Sequence, residues 1–207
     1  MATKKTPATK VVTGVVRLSY AHIWEKHQQV DDNGKPIGEP RYSTALLIPK
    51  SDKKTIEKLE KAIEAAKTDG KTSKWGGKLP RTLKLPLRDG DTDEAADGKP
   101  EYQGHYFMNC STDMKPQIVD SNLDPIMEKD QVYSGCYCRV SVNMYPFNSN
   151  GNKGVAVGLG NILKVKDGER FGGGSTAEED FGDLEDLDTD DFDNDDDDDA
   201  NDANDLI

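Results

Sequence analysis

Two stretches of the chain gather side chains that bind anions and stack on flat rings. Between 136 and 145 the residues alternate strictly. Cys136, Cys138, Val140, Val142 and Met144 would face one side of a strand, and Tyr137, Arg139, Ser141, Asn143 and Tyr145 the other. The first set is a core face. The second joins two phenols, a guanidinium, a hydroxyl and an amide without a carboxylate. Residues 71–78, Lys71-Thr72-Ser73-Lys74-Trp75-Gly76-Gly77-Lys78, set three lysines around one tryptophan, and Arg81, Lys84 and Arg88 follow. Such a combination suits a single nucleic-acid strand. Base–aromatic stacking is worth about 1–3 kcal/mol per base and tolerates any sequence, because every base has a π-face. A guanidinium pairs with a phosphate or stacks on a base. The candidate DNA contacts are therefore Lys74, Trp75, Lys78, Arg81, Tyr137, Arg139 and Tyr145, with Lys153 beyond them. Tyr102, Tyr106, Phe107 and Phe147 are weaker candidates of the same kind, and Trp24 reads equally as core or groove. Two plainer outcomes stay open: a solvated sheet face with incidental tyrosines, and a Trp75 folded back as a lid on the domain.

Other chemistries fit less well. Cys110, Cys136, Cys138 and His105 are the soft ligands on offer, but no CxxC knuckle exists and the spacing matches no common zinc motif. Buried free cysteines are the better reading, with no metal and no cofactor implied. Asp89, Asp91, Asp93, Glu94 and Asp97 lie in a glycine-rich stretch, whereas two-metal hydrolysis needs carboxylates fixed around ions about 3.5–4 Å apart. No triad, phosphate-cradling loop or dinucleotide fingerprint is present. The chain reads as a binder and not an enzyme.

Charge divides the chain. Of its 207 residues, 27 are Lys or Arg and 39 Asp or Glu, a net of −12. Residues 175–207 hold 17 of the acids and no Lys or Arg, so residues 1–174 carry 22 acids against all 27 bases, a net of +5. A mildly basic domain is joined to a polyanion. The acidic run around 195–199 has nothing to bury and is expected to be disordered. Its isolated Phe192 and its end, Asp205-Leu206-Ile207, suit a portable ligand for a basic, apolar pocket, as an alternative to a merely solubilising tail. No secretory leader is legible, no apolar run is long enough for a bilayer, and three cysteines make no disulfide framework. A cytoplasmic protein without a membrane partner is expected.

The elements that must position these groups are mostly strands. Residues 10–20 read as a first strand, 31–36 as a turn, 41–48 as a second strand ended by Pro49. Residues 51–67 are the one inserted helix: Ile56, Leu59, Ile63 and Ala66 form a single stripe, Ser51 or Asp52 caps its start, and Gly70 closes it. Residues 71–98 read as a long irregular loop, and 102–109, 117–120, 131–145 and 155–165 as further strands. The expected fold is mainly β, an OB-like small antiparallel barrel with one inserted α-helix, plus a disordered acidic tail. The expected division is a mobile arm over 1–9, the barrel domain over 10–171, and a glycine linker with the tail over 172–207.

Four motifs in order, Leu46-Leu47-Ile48-Pro49-Lys50, Pro86-Leu87-Arg88-Asp89-Gly90-Asp91, Tyr133-Ser134-Gly135-Cys136 and Lys166-Asp167-Gly168-Glu169, resemble the single-stranded-DNA-binding proteins of tailed bacteriophages over nearly all of 11–174. The resemblance implies an OB fold, a role in phage replication and recombination in the cytoplasm of the infected bacterium, and an acidic tail that recruits phage or host replication proteins. Leu206-Ile207 differs from the aromatic residue that typically ends the bacterial relatives. Oligomeric state is left open, a homodimer included. Two other functions remain as alternatives: a decoy or chaperone whose tail mimics DNA toward a host protein, and, last, a metal-dependent nuclease.

Overall fold

The computed structural model describes residues 6–31, 33–149 and 151–172. The chain separates into two units, 1–172 and 173–207, and what was expected of the tail, including Phe192, Asp205, Leu206 and Ile207, falls outside the described residues. In chain order the elements are β1 (Lys10–Val12), β2 (Val16–Val30), β3 (Pro36–Pro49), α1 (Lys53–Ser73), β4 (Arg88–Asp89), β5 (His105–Thr112), β6 (Ile118–Val119), β7 (Tyr137–Ser149) and β8 (Asn152–Lys166).

Pairing runs β2 with β3, β3 with β5, β5 with β8, β8 with β7, and β7 back to β2, which closes a five-stranded barrel. Only β5 and β8 in this ring run parallel, at Ser111 and Gly158. This is an OB-like barrel with one α-helix among the described residues, between its second and third strands. β1 and β6 extend the β7–β8 ribbon on either side. The core holds Leu18, Ile23, Leu46, Ile48, Met108, Val140, Met144 and Ile162. Cys136 and Cys138 share that interior with Val140, Val142 and Met144, as the alternation requires. Burial pushes the Cys110 and Cys138 thiols up to about 12, far from the thiolate a nucleophile or ligand needs.

The first expected strand is two, broken at 13–15. There Gly14 passes so close to the start of α1 that a β-carbon would meet the Asp52 carboxylate and the Thr55 hydroxyl, at 2.2 and 2.7 Å. Asp52 is the cap, accepting from the Thr55 N–H. The helix outruns its expected end at 67 and continues through Gly70. Gly70 is needed for space and not as a stop: a β-carbon there would meet Pro146 Cβ and the Trp75 ring at 2.6 Å. From the far end of α1, Trp75 folds back onto this bare patch, only 6% exposed, and its Nε1–H donates to the Phe147 carbonyl at 3.1 Å. Of the two outcomes left open for Trp75, the burial matches the ring folded back onto the domain and not the stacking platform. The ring is a core residue whose partners come from β7, and it has no free face to offer a base.

Candidate nucleic-acid interface

One groove lies on β2, β3 and β5. It begins with irregularities in β2, whose register against β3 shifts between Ser19 and His22, between His22 and His27, and between His27 and Gln29. The first two shifts leave extra residues on β2 and the third leaves them on β3, and each resets which side chains share a face. As a result Tyr20, His22, His27 and Gln29 line one cleft although 22 and 27 have opposite parity. Tyr20 sits at φ +48°, a left-handed conformation uncommon for a tyrosine, and keeps 53% of its surface exposed. The His22 and His27 rings stack at 3.9 Å, nearly parallel. Burial, then the neighbouring His27, lowers the His22 pKa from its ordinary value. Ser43 from β3 and Asn109 from β5 add polar groups, and the cleft measures about 230 Å³.

A loop closes the groove from outside. Lys99 places its ammonium 5.1 Å from the Tyr20 ring centroid and 5.3 Å from that of Tyr102. Tyr102 and Phe107 pack edge to face beneath, both buried, as support more than contact surface. The carboxylates of this loop hold it in place. Lys50 bonds Asp89 at 2.5 Å and Asp91 at 2.7 Å. Those bonds raise Lys50 to about 12 and hold both carboxylates below their usual range. Arg88 pairs with Asp93, which accepts from the Ala95 N–H, and Asp91 accepts from the Gly104 N–H. Three of the five acids weighed for a nuclease, Asp89, Asp91 and Asp93, are bonded within the segment that leads to Ala95 and Lys99 at the cleft. No carboxylate occurs among the described residues lining it. A second depression of about 340 Å³ continues from Tyr20 and His22 past Ser134 to Phe171 and Gly172.

The weaker sequence candidates Tyr102 and Phe107 line this cleft, whereas the eight principal ones lie elsewhere. Lys74, Lys78 and Arg81 are exposed along the segment that follows α1, and Lys153 is half-buried. That segment meets the β7–β8 hairpin where the Lys74 carbonyl accepts from Asn148 and the Lys84 N–H donates to the Lys153 carbonyl. Tyr137, Arg139 and Tyr145 do face outward on β7. Tyr137, however, lies under Arg17 and Lys166, at 5.1 and 4.5 Å. Tyr145 leans toward Gly158, and Arg139 borders a separate groove. Trp24 is half-buried and donates to the Val132 carbonyl. None of the eight sequence-picked contacts lines the β2–β3–β5 cleft. Tyr20, His22, His27 and Lys99 went unremarked; the bulges hide the first three, and Lys99 arrives from a loop.

Residues 9–197 match the model of the Enterobacter phage Enc34 ssDNA-binding protein family. The chain belongs to this family. It is 32% identical over 186 residues to protein p50 of Acyrthosiphon pisum secondary endosymbiont phage 1, covering 84% of this chain and 94% of that one. It superposes on the single-stranded DNA-binding protein from bacteriophage Enc34, solved in complex with ssDNA, with a TM-score of 0.66 and 27% identity over 80% of this chain and 90% of that chain. Gp2.5, a single-stranded DNA binding protein encoded by bacteriophage T7, shares the fold at 18% identity and a TM-score of 0.54, over 86% of this chain and 96% of that one.

Proposed function

We propose that this chain binds single-stranded DNA without sequence preference, along the β2–β3–β5 cleft, during phage DNA replication or recombination in the cytoplasm of the infected bacterium. The observation that carries this reading is the cleft itself: the exposed Tyr20, the stacked His22–His27 pair and Lys99, with no carboxylate among the described lining residues. Rings accept any base and the ammonium accepts phosphate. Membership of a family named for an ssDNA-binding protein supports it. The chain acts as a binder and not an enzyme, since Asp89, Asp91 and Asp93 are committed to Lys50 and Arg88.

The acidic segment 175–207 competes with DNA for the basic domain and recruits phage or host replication proteins, on this proposal. It brings 17 carboxylates to a domain of net +5. Titration of a fluorescent oligo-dT, and of a mixed-sequence strand, tests both parts. The two strands should bind alike and duplex more weakly, with log K falling by about 0.7 per phosphate contact for each unit of log salt. Deleting 175–207 should tighten binding most at low salt, where the polyanion is least screened. A marked preference for duplex overturns the first part, and equal affinities with and without 175–207 at low salt overturn the second.

A further inference from the structure

A second groove, of about 480 Å³, lies on the outer face of β1, β7, β8 and β6 and takes no part in the proposed DNA cleft. Val12, Val119, Leu123 and Leu163 give it an apolar floor, and Lys10 and Arg139 stand at its margin. Val12 is 55% exposed and Leu123 67%. Leu123 is the more unusual of the two, because its backbone is held at φ +68°, where a leucine is strained. The turn that holds it is fully bonded. Asp120 accepts through its carboxylate from the Asn122 and Asp124 N–H groups, and its carbonyl accepts from the Leu123 N–H. The chain thus spends strain and a complete hydrogen-bonded turn to present a leucine to solvent beside other exposed aliphatic groups.

The furnishing of the groove selects its occupant. Single-stranded DNA would want rings to stack on, and no aromatic residue is among the described lining residues. A second copy meeting this face across a two-fold axis would bring Lys10 and Arg139 against themselves, with no carboxylate among the described lining residues to answer them. Arg139 and Lys10 make no ion pair among the described residues, and the Asp52 carboxylate that feels the Arg139 charge is itself occupied as the cap of α1. A guanidinium fork matches a carboxylate, and an aliphatic floor matches aliphatic side chains. We infer that this face docks an acidic peptide with adjacent aliphatic residues, presented by another protein molecule. The sequence Asp205-Leu206-Ile207 of this chain has that chemistry, so a peptide of residues 195–207 serves as the probe.

The experiment uses fluorescein-labelled 195–207 peptide and the full-length chain carrying Leu206→Ser and Ile207→Ser, so that the receptor's own terminus does not compete. Saturable binding is expected, unchanged when oligo-dT fills the DNA cleft. Arg139→Glu and Leu123→Gly in the receptor should each weaken it about tenfold or more. Leu123→Gly relieves the left-handed strain, so its melting temperature should rise while its peptide affinity falls, which separates lost docking from lost folding. Absence of saturable binding overturns the inference. So does displacement of the peptide by oligo-dT with both variants unaffected, which would move the peptide to the cleft. Weaker oligo-dT binding by Leu123→Gly would make this a DNA surface, and loss of a dimer in sedimentation would make it a contact between copies. The DNA reading stands or falls separately, on titrations of the unsubstituted chain.

Discussion

The cleft on β2, β3 and β5 and the groove on β1, β7, β8 and β6 are outer faces of one barrel, yet they are furnished by different means. On β7 the backbone keeps its alternation, and inward Cys138, Val140, Val142 and Met144 leave Arg139 and Ser141 outward. The result is a wide groove with aliphatic groups and two basic side chains among its lining. On β2 the alternation is broken by bulges, and the breaks bring Tyr20, His22 and His27 together with a lysine from a loop. Alternation along β7 is enough to sort the contents of the wider groove, whereas the contents of the β2–β3–β5 cleft depend on where the register of β2 breaks. The strain follows the same division: Tyr20 and Leu123, the described non-glycine residues at positive φ, sit one in each groove.

The substitution with the largest expected effect tests whether the segment after α1 belongs to either face. Trp75→Ala removes a core ring that packs on Gly70 and Pro146, and should cost about 3–5 kcal/mol of stability. Oligo-dT affinity of the folded fraction should hold, as read by melting curves and by titration well below the transition. An unchanged melting temperature with reduced affinity would instead put that ring on the DNA.

Next in size is the contrast between the faces themselves. Tyr20→Ala should lose about 1–3 kcal/mol of single-strand binding with little change in melting temperature. Arg139→Ala, on the other face, should leave oligo-dT affinity where it was. If the two substitutions weaken DNA equally, the distinction between the faces fails.

The smallest effect is in pH. His22 has its folded-state pKa lowered, so the unfolded chain takes up a proton first as pH falls below about 6.5. Stability should be fully present above that value and decline as pH falls through the folded pKa. Phosphate in the cleft favours the charged imidazole, so oligo-dT binding should take up a proton and tighten over the same interval. His22→Gln should flatten both profiles, measured by melts and titrations between about pH 5 and 8. Profiles unchanged by that substitution would remove His22 from the cleft's electrostatics.

Much of the barrel was legible because it is local. The stripe of α1, its Asp52 cap, the turn near 31–36 and the two faces of β7 all follow from periods of two and 3.6 and from turn chemistry. The misplaced parts depend on distant partners. Trp75 looks solvent-bound among lysines and glycines, and only Pro146 and Phe147, some seventy positions on, make it core. The extension of α1 to Ser73 has the same cause, since Gly70 reads as a stop until the ring that covers it is known. The cleft escaped notice because a bulge has no composition of its own, and a parity rule applied across it sends His27 to the wrong side. Asp89, Asp91 and Asp93 read from sequence as acids of a glycine-rich loop, and their pairing with Lys50 and Arg88 was not legible because those partners lie on other stretches of the fold or depend on how the loop turns.

The closure of the barrel by β8 also bears on how the protein is made. β8 supplies a neighbour to β7, β5 and β6, and it is the final strand of the domain. Until residue 166 has left the ribosome, β7 and β5 each expose an edge with unpaired backbone groups, and an open edge is a template for pairing with another chain. Folding must therefore wait for nearly the whole domain, and a message truncated within β8 or before it should yield an aggregating fragment and not a smaller working one.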